Sequence, residues 1–180
     1  RCEQESDIFQ TNLPPLSLVQ LASILKPKYN PILIDAITDN VNVNTLVRLI
    51  KKDKPNIVFV NTTTPTFNND LDITKKLLKN SRKTKFYLFG VHAKYFANKI
   101  KISKNILLLD EFPEKKAFKL IGKKNVEFKN YPIPSWNLLK NKFNFKIALK
   151  NSSFLIIQTS RGCPYSCTFC TAPFYYGNLY

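Results

Sequence analysis

"KPNIVFVNTTTP", residues 54–65, decides how the fold is read. Ile57 to Val60 form an unbroken apolar run, without the polar alternation of a strand that faces water on one side. Pro55 bounds the run at one end and a threonine turn ending at Pro65 bounds it at the other. Continuous apolar strands are the ones buried on both faces, as in parallel sheets covered by helices. "KFYLFG" (85–90) and "NILLLD" (105–110) have the same character, and "PILIDA" (31–36) also reads as a strand.

Helical patterns separate these stretches. "VNTLVRLIKK" (43–52) is amphipathic. "NNDLDITKKLLKNS" (68–81) sets Leu71, Ile73, Leu77 and Leu78 at near-helical spacing, with Asn68 or Asn69 as the cap. "HAKYFANKI" (92–100) and "EKKAFKLIGKK" (114–124) continue the series. A further helix begins near Pro15, where proline is tolerated. This alternation predicts a doubly wound, Rossmann-like parallel α/β sheet over residues 1–124. Ligands of such sheets sit beyond the carboxyl ends of the strands. Those ends are Asp35, the loop from Asn61 to Pro65, Gly90 to Ala93, and Asp110 to Phe112.

From residue 125 to 152 the pattern loses its period, with two prolines around Ile133 and the single Trp136. This reads as a linker packing across a domain boundary. "SFLIIQTS" (153–160) then reads as a fresh strand that runs into a cysteine loop. The chain starts at Arg1 with a helix ahead of its first strand, and a fragment cut at both ends is expected.

Hydrophobic residues make up 44% of the 180, enough for a packed core. No apolar run approaches the roughly 18–20 residues of a membrane span, and no secretory leader is visible. A soluble cytoplasmic protein is the expectation. The net charge is +16, with 24 Lys, 4 Arg and 19 Asn. Between residues 71 and 150, 20 basic and 5 acidic residues are scattered over helical polar positions rather than gathered in a block. That distribution reads as a solvated lysine-rich surface with no specific nucleic-acid partner, attracting polyanions nonspecifically at low salt.

Three of the four cysteines, Cys163, Cys167 and Cys170, fall in a C-x3-C-x2-C spacing. Reduced, clustered thiols point to metal. A structural zinc site needs four ligands, and the further candidates, Cys2 and His92, are remote in sequence. A [4Fe–4S] cluster also takes four thiolates as a rule, so three would leave one iron open for chemistry. The competing reading is a basic metal-binding module, holding zinc or an iron–sulfur group, that contacts nucleic acid. It requires a fourth ligand and a localised basic, aromatic face. Elsewhere, Asp35 either meets a ligand hydroxyl or caps the turn after it. Thr62, Thr63 and Thr64 offer hydroxyls and amides beyond their strand. His92 either lines the pocket through the Gly90 turn or caps a helix.

"TSRGCPYSCTFC" (159–170), behind an apolar strand, resembles the signature of radical S-adenosylmethionine enzymes, including the aromatic residue before the last cysteine, Phe169. The resemblance implies a [4Fe–4S] cluster on Cys163, Cys167 and Cys170. The open iron would chelate the amino and carboxylate groups of S-adenosylmethionine, and Phe169 would pack near its adenine. One electron, from a donor such as flavodoxin or ferredoxin, would then cleave the cofactor to methionine and a 5′-deoxyadenosyl radical that acts on an unknown small-molecule substrate.

Upstream, "PPLSLVQLASIL", "PILIDA", "NTTTPTFNNDLDITKKLL", "FGVHA" and "YPIPSWNLL" are similar, in order and spacing, to landmarks of a cobalamin-binding domain. In one subfamily that domain precedes the radical (β/α) barrel, and its members include methyltransferases and oxidative cyclases. The resemblance therefore implies a cobalamin-binding-type domain over 1–124, a linker over 125–152, and the first strand and cluster loop of a truncated barrel over 153–180. Thr62, Thr63, Thr64, Gly90 and His92 would line the cobalamin pocket. Ser17 and the Phe89–Gly90 pair stand where the family often has glycine, and Phe89 is expected to narrow the approach to a corrin. A D-x-H-x-x-G motif is absent, since Gly90 lies two before His92. The extra cluster cysteines of methylthiotransferases are missing between Cys2 and Cys163.

Overall fold

The computed structural model describes residues 13–141, 145 and 154–177. Its elements are α1 (Leu16–Leu25), α2 (Val43–Asp53), β1 (Ile57–Asn61), α3 (Phe67–Asn80), β2 (Lys85–Phe89), α4 (Val91–Phe96), β3 (Ile106–Leu108), α5 (Pro113–Leu120) and α6 (Ala172–Tyr176). The strands form one parallel sheet in the order β1-β2-β3. Ile57 pairs with Lys85 and Asn61 with Phe89, and Phe86 to Leu88 pair with Ile106 to Leu108.

β2 is central and covered on both faces. Phe86 and Leu88 point to one layer, where they meet Ile50 of α2, Phe67, Ile73 and Leu77 of α3, and Ala93 of α4. Tyr87 and Phe89 point to the other, against Leu21, Ile24 and Leu25 of α1 and Ala117 and Phe118 of α5. The result is a three-layer α/β/α unit, as the unbroken apolar runs predict. β1 is less covered: Ile57 to Val60 are all half-buried, because among the described residues it pairs with β2 alone.

Two predicted strands are not strands. Residues 31–35 have no regular secondary structure and join no ladder of the described residues. A strand needs a neighbour, which its own composition cannot supply. Leu33 instead anchors this stretch against Val19, Leu139 and Phe145. The Asp35 carboxylate closes the following turn, accepting from the Ile37 amide at 3.3 Å and from Thr38 Oγ1 at 2.7 Å. Residues 154–160 of the predicted 153–160 strand likewise have no regular secondary structure and are unpaired among the described residues, and Leu155 and Ile157 are exposed. Residue 153 lies outside the described residues.

The helices shift in smaller ways. α3 starts earlier than predicted, after Thr66 rather than Asn68 or Asn69, because the Asp70 amide already donates to the Thr66 carbonyl at 2.8 Å. α4 ends at Phe96, short of residue 100. Beyond α5, two 3-10 turns (Phe128–Asn130 and Trp136–Leu138) flank a segment laid across α1. Gln20 Nε2 donates to the Pro132 carbonyl at 2.8 Å. Ser23 Oγ contacts both the Ile133 carbonyl (2.7 Å) and Ser135 Oγ (2.8 Å). The Ser135 amide donates to the Val19 carbonyl at 3.1 Å. α1 is thus buried all round from Val19 to Leu25, its polar Gln20 and Ser23 included.

Ser23→Ala removes the buried hydroxyl that ties this segment to α1. A loss of about 1–2 kcal/mol in urea unfolding is expected, with faster exchange of the Ser135 amide. An unchanged midpoint would show that the segment is held by other contacts.

Candidate functional site

The carboxyl ends of the strands bring three loops together. Past β1, the Thr62 amide and hydroxyl both donate to the Phe89 carbonyl, at 2.8 and 3.1 Å, which extends the β1–β2 junction by one residue. Thr62 is 2% exposed, so its hydroxyl is committed inside the fold. Thr63 Oγ1 lies 2.8 Å from Thr66 Oγ1, which donates in turn to Asp70 Oδ2 at 2.7 Å. Thr64 is exposed. Across the junction, Gly90 has φ +129°, and a Cβ there would fall 2.1 Å from the Thr62 carbonyl oxygen. Glycine is required by both the backbone angle and the space. Phe89, expected to narrow this crevice, is 2% exposed and turns into the core against α1 and α5.

His92 does not cap a helix. It lies in the first turn of α4 with its ring centroid 4.4 Å from that of Phe67 and 4.7 Å from that of Phe96.

Beyond β3 come Phe112, immediately before α5, and Glu114 in the first turn of α5. The segment carrying the cysteines packs here. Arg161 Nη2 donates to Glu114 Oε1 at 2.9 Å and to Gln158 Oε1 at 3.3 Å. Its guanidinium carbon lies 5.2–5.6 Å from the ring centroids of Phe112, Phe128 and Tyr131. From α4, Lys94 Nζ donates to the carbonyls of Phe174 and Tyr175 in α6, both at 2.9 Å. Burial, reinforced by Lys115 and opposed by Asp110, holds the Lys94 ammonium below its ordinary pKa. Burial is also the main force raising the Tyr131 and Tyr175 phenols, with the Glu114 charge adding to it and Arg161 opposing it. Sequence reading marked Phe112 as a strand end but gave no role to Lys94, Glu114 or Tyr175. The basic and acidic positions of a helical pattern look alike whether or not a distant segment lands on them.

The cysteines lie on the far side of Arg161. Cys163 is half-buried, while Cys167 and Cys170 are exposed and none is paired. The Cys170 amide donates to the Cys167 carbonyl at 3.1 Å, and the Ala172 amide points to Cys170 Sγ at 3.4 Å. Among the described residues no three His, Cys, Asp or Glu side chains stand close enough together to hold a metal ion. Phe169 is 89% exposed. No described helix is long and apolar enough to cross a membrane.

No family model matches the chain, and no solved structure does. Over 198 aligned positions the chain is 25% identical to an uncharacterized methyltransferase of Pyrococcus horikoshii. The likeness is to a methyltransferase. It covers 93% of this chain and 42% of that protein, so the chain spans less than half the length of the curated relative it matches.

Gly90→Ala should destabilise the chain by about 2 kcal/mol or more, since the new methyl meets backbone at an unfavourable φ. A urea midpoint within error of the parent would contradict the packing described. A second expectation concerns alkaline pH. Unfolded phenols lose their protons near 10.0 whereas Tyr175 in the fold holds its proton to higher pH. Above that pH the unfolded chain binds fewer protons, so stability falls as pH rises. Tyr175→Phe should flatten this fall in thermal melts between pH 9 and 11, a window around the ordinary phenol value. An equally steep fall in the variant would place the alkaline sensitivity elsewhere.

Proposed function

We propose that this chain is the α/β unit and cluster loop of a radical S-adenosylmethionine enzyme that transfers a methyl group. The C-x3-C-x2-C loop following Arg161-Gly162 carries this reading, because it offers three thiols on one short turn and no fourth ligand beside them in the sequence. Zinc would need that fourth ligand. His92 is an unsuitable candidate, since its ring is flanked by Phe67 and Phe96. The likeness to a methyltransferase favours methyl transfer over cyclisation.

The donor set fits an iron–sulfur group. Three thiols lie within eight positions, two of them already open to solvent, and a backbone amide faces the third ligand's sulfur. The sulfurs do not converge without metal, and such loops commonly gather their ligands as the metal binds. Cys163, Cys167 and Cys170 would hold the cluster, which would supply one-electron reduction for cleavage of S-adenosylmethionine, replenished by a donor such as flavodoxin or ferredoxin. The chain's own part is to present the thiolates, to offer Phe169 as an apolar face for the adenine, and to hold the loop at the end of the sheet.

For a corrin the fit is poorer. The Thr62 hydroxyl is committed to Phe89, Thr63 to Thr66, and the backbone at Gly90 is closed against Thr62. Thr64 remains exposed. Only the order of the sequence landmarks supports a domain of the cobalamin-binding type, and no chemical step is assigned to cobalamin.

Anaerobic reconstitution with iron and sulfide should load about four of each per chain, the count of a [4Fe–4S] cluster. Cys167→Ala should lose that loading, and in a protein carrying the complete barrel it should abolish 5′-deoxyadenosine formation. One equivalent of zinc with no labile sulfide would overturn the proposal in favour of a basic metal-binding module.

A further inference from the structure

The cysteine triplet is bracketed by two tethers. Arg161 lies two residues before Cys163, and Phe174 and Tyr175 lie just after Cys170. Each tether joins a cation to an acceptor on the opposite segment: Arg161 of the loop to Glu114 of α5, and Lys94 of α4 to the carbonyls of α6. Both cations lie over the same ring, Arg161 at 5.3 Å and Lys94 at 5.6 Å from the Phe112 centroid. Tyr175 and Tyr176 of α6 pack on that ring too, at 5.8 and 6.0 Å.

We propose that Glu114, Arg161 and Lys94, arranged around Phe112, form a clamp that fixes the cysteine loop at the carboxyl edge of the sheet.

The Glu114–Arg161 pair has the character of a registering contact. Its side chains are 3% and 15% exposed, so both charges have left water. Glu114 Oε2 and Arg161 Nε are buried without a hydrogen-bond partner among the described residues. A buried pair that leaves polar atoms unsatisfied adds little net stability, yet removing either partner strands the other charge. Such a pair penalises every position of the loop except the one that joins its members. The setting strengthens this selection. Glu114 sits in the first turn of an eight-residue helix, whose amino end favours negative charge. Arg161 has aromatic rings around its guanidinium, and a planar, delocalised cation suits that environment better than an ammonium would. On the other side, Lys94 meets the carbonyl end of α6, where a cation is favoured. α6 has five residues, far fewer than the roughly 12–15 that an isolated helix needs in water. Its persistence therefore reports that it is docked. Whatever the thiols hold is then carried at a set distance from the loops after β2 and β3.

This placement does not depend on which metal the cysteines take, so its test uses the metal-free chain. Hydrogen exchange is followed at the Cys170, Tyr175 and Gly177 amides, which donate to Cys167, Thr171 and Pro173. Amides of β2 serve as the internal reference. Arg161→Gln and Glu114→Gln should each speed exchange in the 170–177 segment tenfold or more, with β2 unchanged. Lys94→Gln, a milder change at a partly exposed site, should loosen the same segment. The Glu114→Gln, Arg161→Gln double variant should recover part of the protection by pairing two neutral amides, and Arg161→Lys should not. Unaltered exchange at 170–177 in all three single variants would overturn the clamp. Loosening of β2 in step with that segment would also overturn it, by showing that these residues support the whole fold. A chain that took up zinc would leave the clamp intact, and loss of the clamp would leave the cysteine chemistry standing.

Discussion

Everything in this molecule is arranged around a strand that has no solvent face. β2 places Phe86 and Leu88 in one layer and Tyr87 and Phe89 in the other, all of them 5% exposed or less. Burial of such side chains contributes about 1.5–3 kcal/mol each, and it fixes the strand's register at the same time. Because both faces are taken, the free end of the sheet is the place left for chemistry. The loops after β1, β2 and β3 meet there, and the Thr62–Gly90 junction sets how closely the first two approach.

The parts of this fold that could be read from the chain are those written in local pattern. The runs at 57–60, 86–89 and 106–108 are apolar without interruption and each is a strand, although only β2 is covered on both faces: β1 is half-buried, and Leu107 of β3 is exposed. The run at 31–36, apolar from Ile32 to Ile34, joins no ladder of the described residues, because pairing is a property of two segments and only one of them is in the pattern. Helix starts were legible to within a few residues. Pro113 begins α5 as its fixed φ allows, and Asn42 caps α2 through the Thr45 amide. The docking of residues 131–136 on α1 rests on Gln20 and Ser23, two polar residues in an apolar helix that a pattern would place on the surface.

The candidate site divides in the same way. The three cysteines stand out by spacing alone, since thiols so close together have few uses. Glu114 and Lys94 do not stand out, for each is one charge among many on a lysine-rich chain, and what distinguishes them is a contact across 47 or 80 residues of sequence. Phe112 links the two halves: the end-of-strand rule marks its position, while the cations and tyrosines gathered on its ring depend on the tertiary fold. The methyltransferase likeness runs over 93% of this chain but less than half of that relative, and it singles out no residue.

One border of the sheet is unpaired among the described residues. Along its outer side β1 offers backbone donors and acceptors that no described residue engages, flanked by half-buried Ile57, Val58, Phe59 and Val60. Such a border is a ready template for a second copy. The charge of +16 holds copies apart, but over a range of only about 8 Å at physiological ionic strength. Added salt shortens that range further and leaves the backbone groups of this border unchanged, so ionic strength acts on the surface charge and on the sheet edge in different ways.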